Sequence, residues 1–422
     1  MHASLGHPMR FNLDRLCFFS YCAAKGIAFL LVCGVLVALA LLFIYKCTKM
    51  CLNIPSPRAR PVVQYYRVVQ YRVVPDHVIR HTSIERFLAK MAKENHPIRF
   101  TAEQLTGYTG NYSAQLGRGG FGTVYRGVLP NGLAVAVKVL HDPRTSEEQF
   151  KAEMGTIGTT HHVNLVRLYG YCFQGDTHAL VYEFMEHGAL NAYLSAHGAG
   201  VSMATVAEIA TGVARGLRYL HEECQRKIVH YDIKPDNVLL DATLTPKVAD
   251  FGLARLVSRA DTHDSVSRPR GGTPGFGAPE VWRELRVTEK CDVYSFGMLL
   301  LDIVCRGRNL LVVDADAASD GSQQWFPMVA WTKYQGGELM ELLAPTADRH
   351  RDDEPWRCRE LVERLCKVAF WCVQERPPAR PFMSAVVKML EGEMNIAPPP
   401  YPFNHLFGPP SAMASSLNTM PS

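Results

Sequence analysis

The chain contains no Cys-x-x-Cys pair, so the thiol spacing that commonly binds zinc is absent. Twelve cysteines are present. Five precede Asn53, and Cys172, Cys224, Cys291, Cys305, Cys358, Cys366 and Cys372 follow at irregular intervals. In a region large enough to build its own core, these seven read as reduced thiols of a cytosolic protein. A basic face on the large region is also missing. The net charge is +5, yet Lys46 to Arg99 alone holds eleven Lys or Arg against three Asp or Glu. From Phe100 onward the balance is negative, which excludes nucleic-acid binding by the folded part. At 47% hydrophobic and 20% charged residues over 422 positions, a packed core is expected and wholesale disorder is not.

Long apolar runs are scarce: there is one, Ile27 to Tyr45, nineteen residues without a charge. As a helix it would span roughly 28 Å, close to the thickness of a bilayer core. It exceeds the apolar core of a signal peptide, and Lys46-Cys47-Thr48-Lys49 offers no small-residue cleavage site. A retained transmembrane helix is expected. Basic flanks tilt slightly toward a cytoplasmic C-terminal side. Residues 1–26 would form a short extracellular N-terminus, too brief for a domain with its own core.

Residues 46–98 read as a basic juxtamembrane segment, with Pro55, Pro57, Pro61 and Pro75 and the near-repeat Tyr66-Arg67-Val68-Val69-Gln70-Tyr71-Arg72-Val73-Val74. Its charge suits anionic lipid at about 1 kcal/mol per basic residue, and equally a solvated linker. Cys47 and Cys51 are placed for palmitoylation. Residues 99–396 look globular. Up to Glu183, β-branched residues and Gly-rich turns suggest a sheet with one helix; beyond it, helical patterns run from Met203 to His221 and Leu361 to Val373. Residues 397–422, rich in Pro and Ser, read as a disordered tail. The sequon Asn111-Tyr112-Ser113 would be inert in the cytosol.

The chemistry lies in ordered motifs. Gly117-Arg118-Gly119-Gly120-Phe121-Gly122-Thr123-Val124 places glycines where backbone N–H groups can approach phosphates. A dinucleotide fold would open a helix next. Here the chain continues as a hairpin, through the turn Pro130-Asn131-Gly132 to Leu133-Ala134-Val135-Ala136-Val137-Lys138. Lys138 ends an apolar strand and needs a partner, because burying a lone charge is costly. Glu153 supplies one from an expected helix, whose start Ser146 and Gln149 would mark as a capping box. Such a pair would hold the α- and β-phosphates. Then comes His230-Tyr231-Asp232-Ile233-Lys234-Pro235-Asp236-Asn237. Asp232 would accept or orient a substrate hydroxyl proton, Lys234 would neutralise the moving phosphoryl group, and Asn237 would hold a metal ion. Asp250-Phe251-Gly252 follows, with Asp250 as a ligand for Mg²⁺, or alternatively Mn²⁺. Ala278-Pro279-Glu280 closes the series. Each piece alone has a bland reading; their fixed order does not.

These motifs resemble the eukaryotic protein kinases over residues 99–396. A nearer resemblance, to plant receptor-like kinases of the leaf-rust-resistance type, rests on Arg99-Phe100-Thr101 leading to Leu105, His161-His162-Val163-Asn164-Leu165-Val166, Leu180-Val181-Tyr182-Glu183-Phe184-Met185 and Cys291-Asp292-Val293-Tyr294-Ser295-Phe296-Gly297. The resemblance implies an α+β, two-lobed fold with ATP in the cleft; the apolar run at 27–45 would precede it as the membrane helix. It implies that Gly117, Gly119 and Gly122 lie over the phosphates, and that Glu183 and Met185 offer hinge backbone groups to adenine. Tyr182 would be the gatekeeper, and Val124, Ala136 and Leu239 would sandwich the ring. Asp292 would brace the catalytic loop and Arg380 would pair with Glu280. Lys234 and Thr273 resemble the Ser/Thr-directed pattern, so the implied partners are ATP and protein substrates. Because ATP is cytosolic, the kinase region is expected inside a single-pass plasma-membrane protein.

Three departures stand out. Tyr231 occupies a position where many kinases carry an Arg that binds an activation-loop phosphate, which a tyrosine cannot do. The chain thus resembles the non-Arg class, linked in plants to defence signalling, and Ser258, Thr262, Ser265 and Ser267 are not expected to carry the main switch. Phe276 replaces a frequent Tyr. The short N-terminus lacks the family's Cys-rich ectodomain, so ligand sensing would need a co-receptor. The alternative to an active enzyme is a pseudokinase or co-receptor scaffold acting by binding, but Lys138, Asp232 and Asp250 are all present.

Overall fold

The computed structural model describes residues 73–94, 96–141, 143–197, 200–257, 272–283, 287–305, 311–312, 324–343 and 355–404. The apolar run at 27–45, Cys47 and Cys51, most of the juxtamembrane segment and the hydroxyls Ser258, Thr262, Ser265 and Ser267 lie outside the described residues. Among the described residues no helix is long and apolar enough to cross a membrane.

The first lobe is built on short strands rich in β-branched residues. They are β1 (Ile98–Arg99), β2 (Gln115–Arg118), β3 (Gly122–Val128), β4 (Ala134–Leu140), β5 (Leu168–Gln174) and β6 (Thr177–Glu183). They form one sheet in the order β1-β5-β6-β4-β3-β2, with β1 parallel to β5 and the other pairs antiparallel. The expected hairpin is there. Gly132 turns the chain at φ 88° and its N–H donates to the Leu129 carbonyl at 2.8 Å. The sheet is accompanied by α1 (Asp76–Arg80), α2 (Ile84–Glu94), α3 (Ala102–Tyr108) and α4 (Pro143–Thr156). Because α4 begins at Pro143, Ser146 sits inside its first turn and does not precede it as the expected cap. Proline suits a first turn, where its missing N–H has no intrahelical partner to lose.

The second lobe is helical: α5 (Leu190–His197), α6 (Met203–Arg218), α7 (Pro279–Trp282), α8 (Lys290–Val304), α9 (Phe326–Gly336), α10 (Pro355–Cys372) and α11 (Met383–Glu391). Ser202 starts α6 by accepting the Thr205 N–H at 3.1 Å, and a π-helical turn, Tyr219–Glu223, continues it. Every residue of α8 is buried, the charged Lys290, Asp292 and Asp302 among them. Gly297 lets α10 come close, since a Cβ there would lie 2.7 Å from the Cys372 Cβ. Between the lobes run β7 (Gly188–Ala189), β8 (Lys227–Val229), β9 (Val238–Leu240), β10 (Pro246–Val248) and β11 (Arg255–Val257). They pair as β10-β9-β7 and β11-β8. This is the α+β, two-lobed arrangement expected from the motifs.

The folded region extends beyond 99–396 at both ends. Ile79, Phe87 and Met91 of α1 and α2 are buried in one core with Phe100, Leu105 and Tyr169, so the chain joins the first lobe well before Arg99. At the other end, residues 397–404 are ordered against the second lobe and are not part of a free tail. Phe403 is fully buried, the Trp371 indole N–H donates to the Ala397 carbonyl at 2.9 Å, and Gln374 donates to that of Pro400 at 3.0 Å. Proline and serine content concealed two aromatic anchors, Tyr401 and Phe403, whose rings meet Trp331 and Trp325 respectively. The seven later cysteines are all buried. Burial raises the thiol of Cys172 to about 11 and those of Cys366 and Cys372 to about 12.

Arg380 is fully buried and forks onto Glu280, Nη1 to Oε1 at 2.5 Å and Nη2 to Oε2 at 2.9 Å. Its other donors go to the carbonyls of Gln374, Lys290 and Glu375. By contrast, Arg283 and Glu375 pair at 3.3 Å with both side chains about half exposed. Arg380→Ala should destabilise the fold by about 3–5 kcal/mol, because it strands a buried carboxylate. Arg283→Ala should cost under about 1 kcal/mol. Urea unfolding of the two variants checks the contrast.

Candidate active site

The loop between β8 and β9 is held from below by Asp292 on α8. Its carboxylate is fully buried and accepts the backbone N–H groups of His230 and Tyr231, both at 2.8 Å, and the His221 Nε2–H at 2.9 Å. Burial pushes this carboxyl up, but the His221 hydrogen bond and nearby charge outweigh it, so the group stays below its ordinary range. The brace has strain to oppose. Tyr231 sits at φ 69°, a left-handed conformation that costs a non-glycine residue about 1–2 kcal/mol. His230 donates through Nε2 to the Ala249 carbonyl at 3.0 Å and accepts the Asp232 N–H on Nδ1 at 3.3 Å, which fixes its tautomer. Its ring meets Phe251 edge-on, 4.8 Å between centroids.

Above the brace, Asp232 gathers three side chains. Its Oδ1 accepts the Thr273 hydroxyl at 2.7 Å; its Oδ2 accepts the Asn237 amide at 2.9 Å and pairs with Lys234 Nζ at 2.9 Å. Lys234 also donates to the Thr273 hydroxyl at 2.7 Å, closing a triangle. Pro235 starts the short 3₁₀ turn Pro235–Asn237 that aims Asn237 back at Asp232. The predicted trio Asp232, Lys234 and Asn237 is therefore brought together, and Thr273, 41 residues along the chain from Asp232, joins it.

The second cluster joins two residues of the first lobe to Asp250, whose neighbour Ala249 donates its N–H to the Asn237 carbonyl at 2.8 Å. Lys138 on β4 donates to Glu153 Oε1 of α4 and to Asp250 Oδ1, both at 2.7 Å. Glu153 is fully buried. Burial alone would depress the Lys138 ammonium, but Asp250 and Glu153 more than offset it and hold it above its ordinary value. Asp250 ends below the carboxylate range, because Lys138 outweighs its burial. Burial pushes Glu153 up to about 7 against the pull of Lys138. One ammonium thus serves two carboxylates. Asp250 is itself held at φ 63°, a conformation that turns its carboxylate toward Lys138.

The donor set suits a hard cation. Asn237 spends its amide nitrogen on the Asp232 carbonyl and carboxylate, which leaves the amide oxygen as its remaining acceptor. Together with Asp250 it offers one carboxylate and one neutral oxygen. That is a set which binds Mg²⁺ only when phosphates and water complete the shell. Among the described residues no cluster of three or more His, Cys, Asp or Glu forms a self-sufficient metal cage.

The glycine loop is the β2–β3 turn. A Cβ at Gly117 or Gly119 would meet nothing within 4 Å, so their bareness leaves backbone open to the cleft. Gly122 has a packing reason as well: a Cβ there would lie 2.4 Å from the Val139 carbonyl of β4. Phe121, at the tip, lies with its ring centroid 6.0 Å from Lys138 Nζ. Val124, Ala136 and Leu239 are half-buried on β3, β4 and β9, and Met185 is buried just past the end of β6. Glu183 contributes a side-chain tie that was not anticipated. It accepts the Arg167 N–H at 2.7 Å and pairs with Lys247 at 3.1 Å, joining the two lobes at the hinge. His221 was also missed; its only trace in the sequence is its place at the end of the helical pattern from Met203.

Comparison with known proteins agrees with this geometry. Residues 111–390 match the family described as protein tyrosine and serine/threonine kinase. The chain is 43% identical over 305 residues to a G-type lectin S-receptor-like serine/threonine-protein kinase of Arabidopsis thaliana, covering 72% of this chain and 36% of that protein. It is 41% identical over 311 residues to leaf rust 10 disease-resistance locus receptor-like protein kinase-like 2.2 of the same plant, 73% of this chain and 47% of the relative. With the rust resistance kinase Lr10 of Triticum aestivum it shares 39% over 336 residues, 76% and 50% of the two chains. The match thus spans about a third to a half of the length of these curated relatives. On the fold, the paired clusters and this match across most of its length, the chain belongs to the protein tyrosine and serine/threonine kinase family.

Proposed function

We propose that this chain is a receptor-like serine/threonine kinase that transfers the γ-phosphoryl group of ATP to hydroxyls of protein substrates. The observation that carries the reading is the Asp232 carboxylate, held by Thr273, Asn237 and Lys234, together with the paired Lys138. A substrate hydroxyl would approach Asp232, which orients it and takes its proton as the new O–P bond forms. Lys234 offsets charge on the transferred group, and Lys138 holds the remaining phosphates while Glu153 holds Lys138. Asn237 and Asp250 would hold the divalent cation, which supplies charge neutralisation between the phosphates. Asp232→Asn should lower phosphate transfer to a generic protein by at least about a hundredfold. Thr273→Ala should lower it about tenfold or more through loss of two charge-assisted hydrogen bonds, and Thr273→Ser should restore it. Labelled ATP with Mg²⁺ and purified protein provides the assay. Absence of transfer by the wild type, or equal transfer by Asp232→Asn, would leave the binding-scaffold reading standing.

We also assign the chain to the class that runs without an activation-loop phosphate. Tyr231 is buried, its hydroxyl finds no hydrogen-bond partner among the described residues, and burial lifts that hydroxyl well above the ordinary tyrosine range. A neutral, sequestered side chain offers a phosphate nothing to bind, and the loop already rests on Asp292. A variant with alanine at Ser258, Thr262, Ser265 and Ser267 should therefore retain transfer within a few-fold; complete loss in a folded protein would refute this.

The remaining expectations belong to the same proposal. Residues 27–45 span the plasma membrane once, with the kinase in the cytosol, and the basic juxtamembrane segment lies near anionic lipid. Signalling is of the defence type named for the rust-resistance relatives. Membrane fractions washed in alkaline carbonate should keep the full chain and release one that lacks residues 1–45; release of both would contradict the span.

A further inference from the structure

The arm that opens the first lobe is attached at several places, and the one at Pro97 bears on the active site. Its apolar side, Ile79, Phe87 and Met91, is buried. Its start is latched by Asp76, whose Oδ1 accepts both the Tyr108 hydroxyl and the Gln104 amide, each at 2.6 Å. Gln104 is already engaged. Its side-chain oxygen accepts the Thr101 N–H at 2.9 Å in the capping box that starts α3, and its amide also reaches the Val74 carbonyl at 2.9 Å. The end of the arm joins the sheet, with Ile98 opposite Gly170 as β1 lies parallel to β5.

Between these anchors sits Pro97, which is buried. Gly158 lies in the 3₁₀ turn, Ile157–Thr159, that directly follows α4. A Cβ added at Gly158 would lie 3.7 Å from the Pro97 ring and 3.9 Å from the Glu153 carbonyl, so the proline ring neighbours this glycine. The buried Pro97 thus lies beside the turn that directly follows α4, the helix that carries Glu153, the partner of Lys138. A cavity of about 400 Å³ separates the latch from the neighbouring hairpin, with Asp76, Tyr108, Val128 and Pro130 on its walls.

We propose that the arm, residues 73–97, is a positioning element for Glu153: latched through Asp76, it seats Pro97 on Gly158 and so holds α4 where Glu153 meets Lys138. The role of Glu153 in phosphate binding is the reading given above; the mechanical coupling does not depend on it. Release of the arm loosens the C-terminal end of α4, and the ion pair with it. Whatever acts on the chain ahead of residue 73 then has a route to the nucleotide site.

Amide hydrogen exchange on the full chain tests this. Asp76→Ala removes the latch, whereas Asp76→Asn keeps an oxygen that accepts both hydrogen bonds. Pro97→Ala removes the seat alone. Exchange in residues 149–158 should quicken by about tenfold or more in Asp76→Ala and Pro97→Ala and stay near wild type in Asp76→Asn. The affinity for Mg·ATP should fall several-fold in Asp76→Ala, with no further fall when Glu153 is already Gln. Faster exchange in the arm with α4 unchanged in both variants would overturn the proposal, as would an equal loss of affinity in the Glu153→Gln background. If the wild type bound no nucleotide, the kinase reading would fail while the exchange result still decided the coupling.

Discussion

The site depends first on one buried carboxylate. Asp292 lies on a helix with no exposed residue, and it holds the backbone of two consecutive residues of the catalytic loop together with His221. An isolated carboxylate at such depth would take up a proton. Three donors keep it charged, and the two from the loop backbone keep Tyr231 in a conformation it would otherwise leave. The position of Asp232 is a consequence, since it is the next residue along. The triangle with Lys234 and Thr273 can be accurate because the loop beneath it is fixed to the centre of the second lobe.

Much of this was legible in the sequence because the chemistry demands particular residues in a fixed order. Lys138, Glu153, Asp232, Asn237 and Asp250 could be assigned roles before any fold was known, and the structure brings them into two clusters. The hairpin after the glycines was readable from its turn and its β-branched residues. Thr273 was legible only as a resemblance, because nothing local says that a residue forty positions on will meet Asp232. His221 and the Glu183–Lys247 tie were not legible at all. Their value arises from three-dimensional proximity, which periodicity does not encode.

The boundaries were the weakest part of the sequence reading, for a physical reason. Composition judged 73–98 by its charge and 397–404 by its prolines. In both cases a few buried apolar side chains decide the outcome: Ile79, Phe87 and Met91 at one end, Phe403 at the other. The outer face of α2 remains basic and exposed while its inner face is core, so charge and burial coexist on one helix. The arm that results is part of the lobe and also the covalent path to everything ahead of it.

The cysteines carry a consequence of a different kind. Thiols attack oxidants and electrophiles as thiolates, and each unit by which the pKa rises cuts the thiolate fraction tenfold. Cys172 at about 11 and Cys366 and Cys372 at about 12 would hold less than about one thiolate in a thousand at neutral pH. All seven are buried. A domain rich in sulfur by count is thereby close to silent toward peroxide and alkylating reagents, and modification of these thiols would report that the fold has already opened.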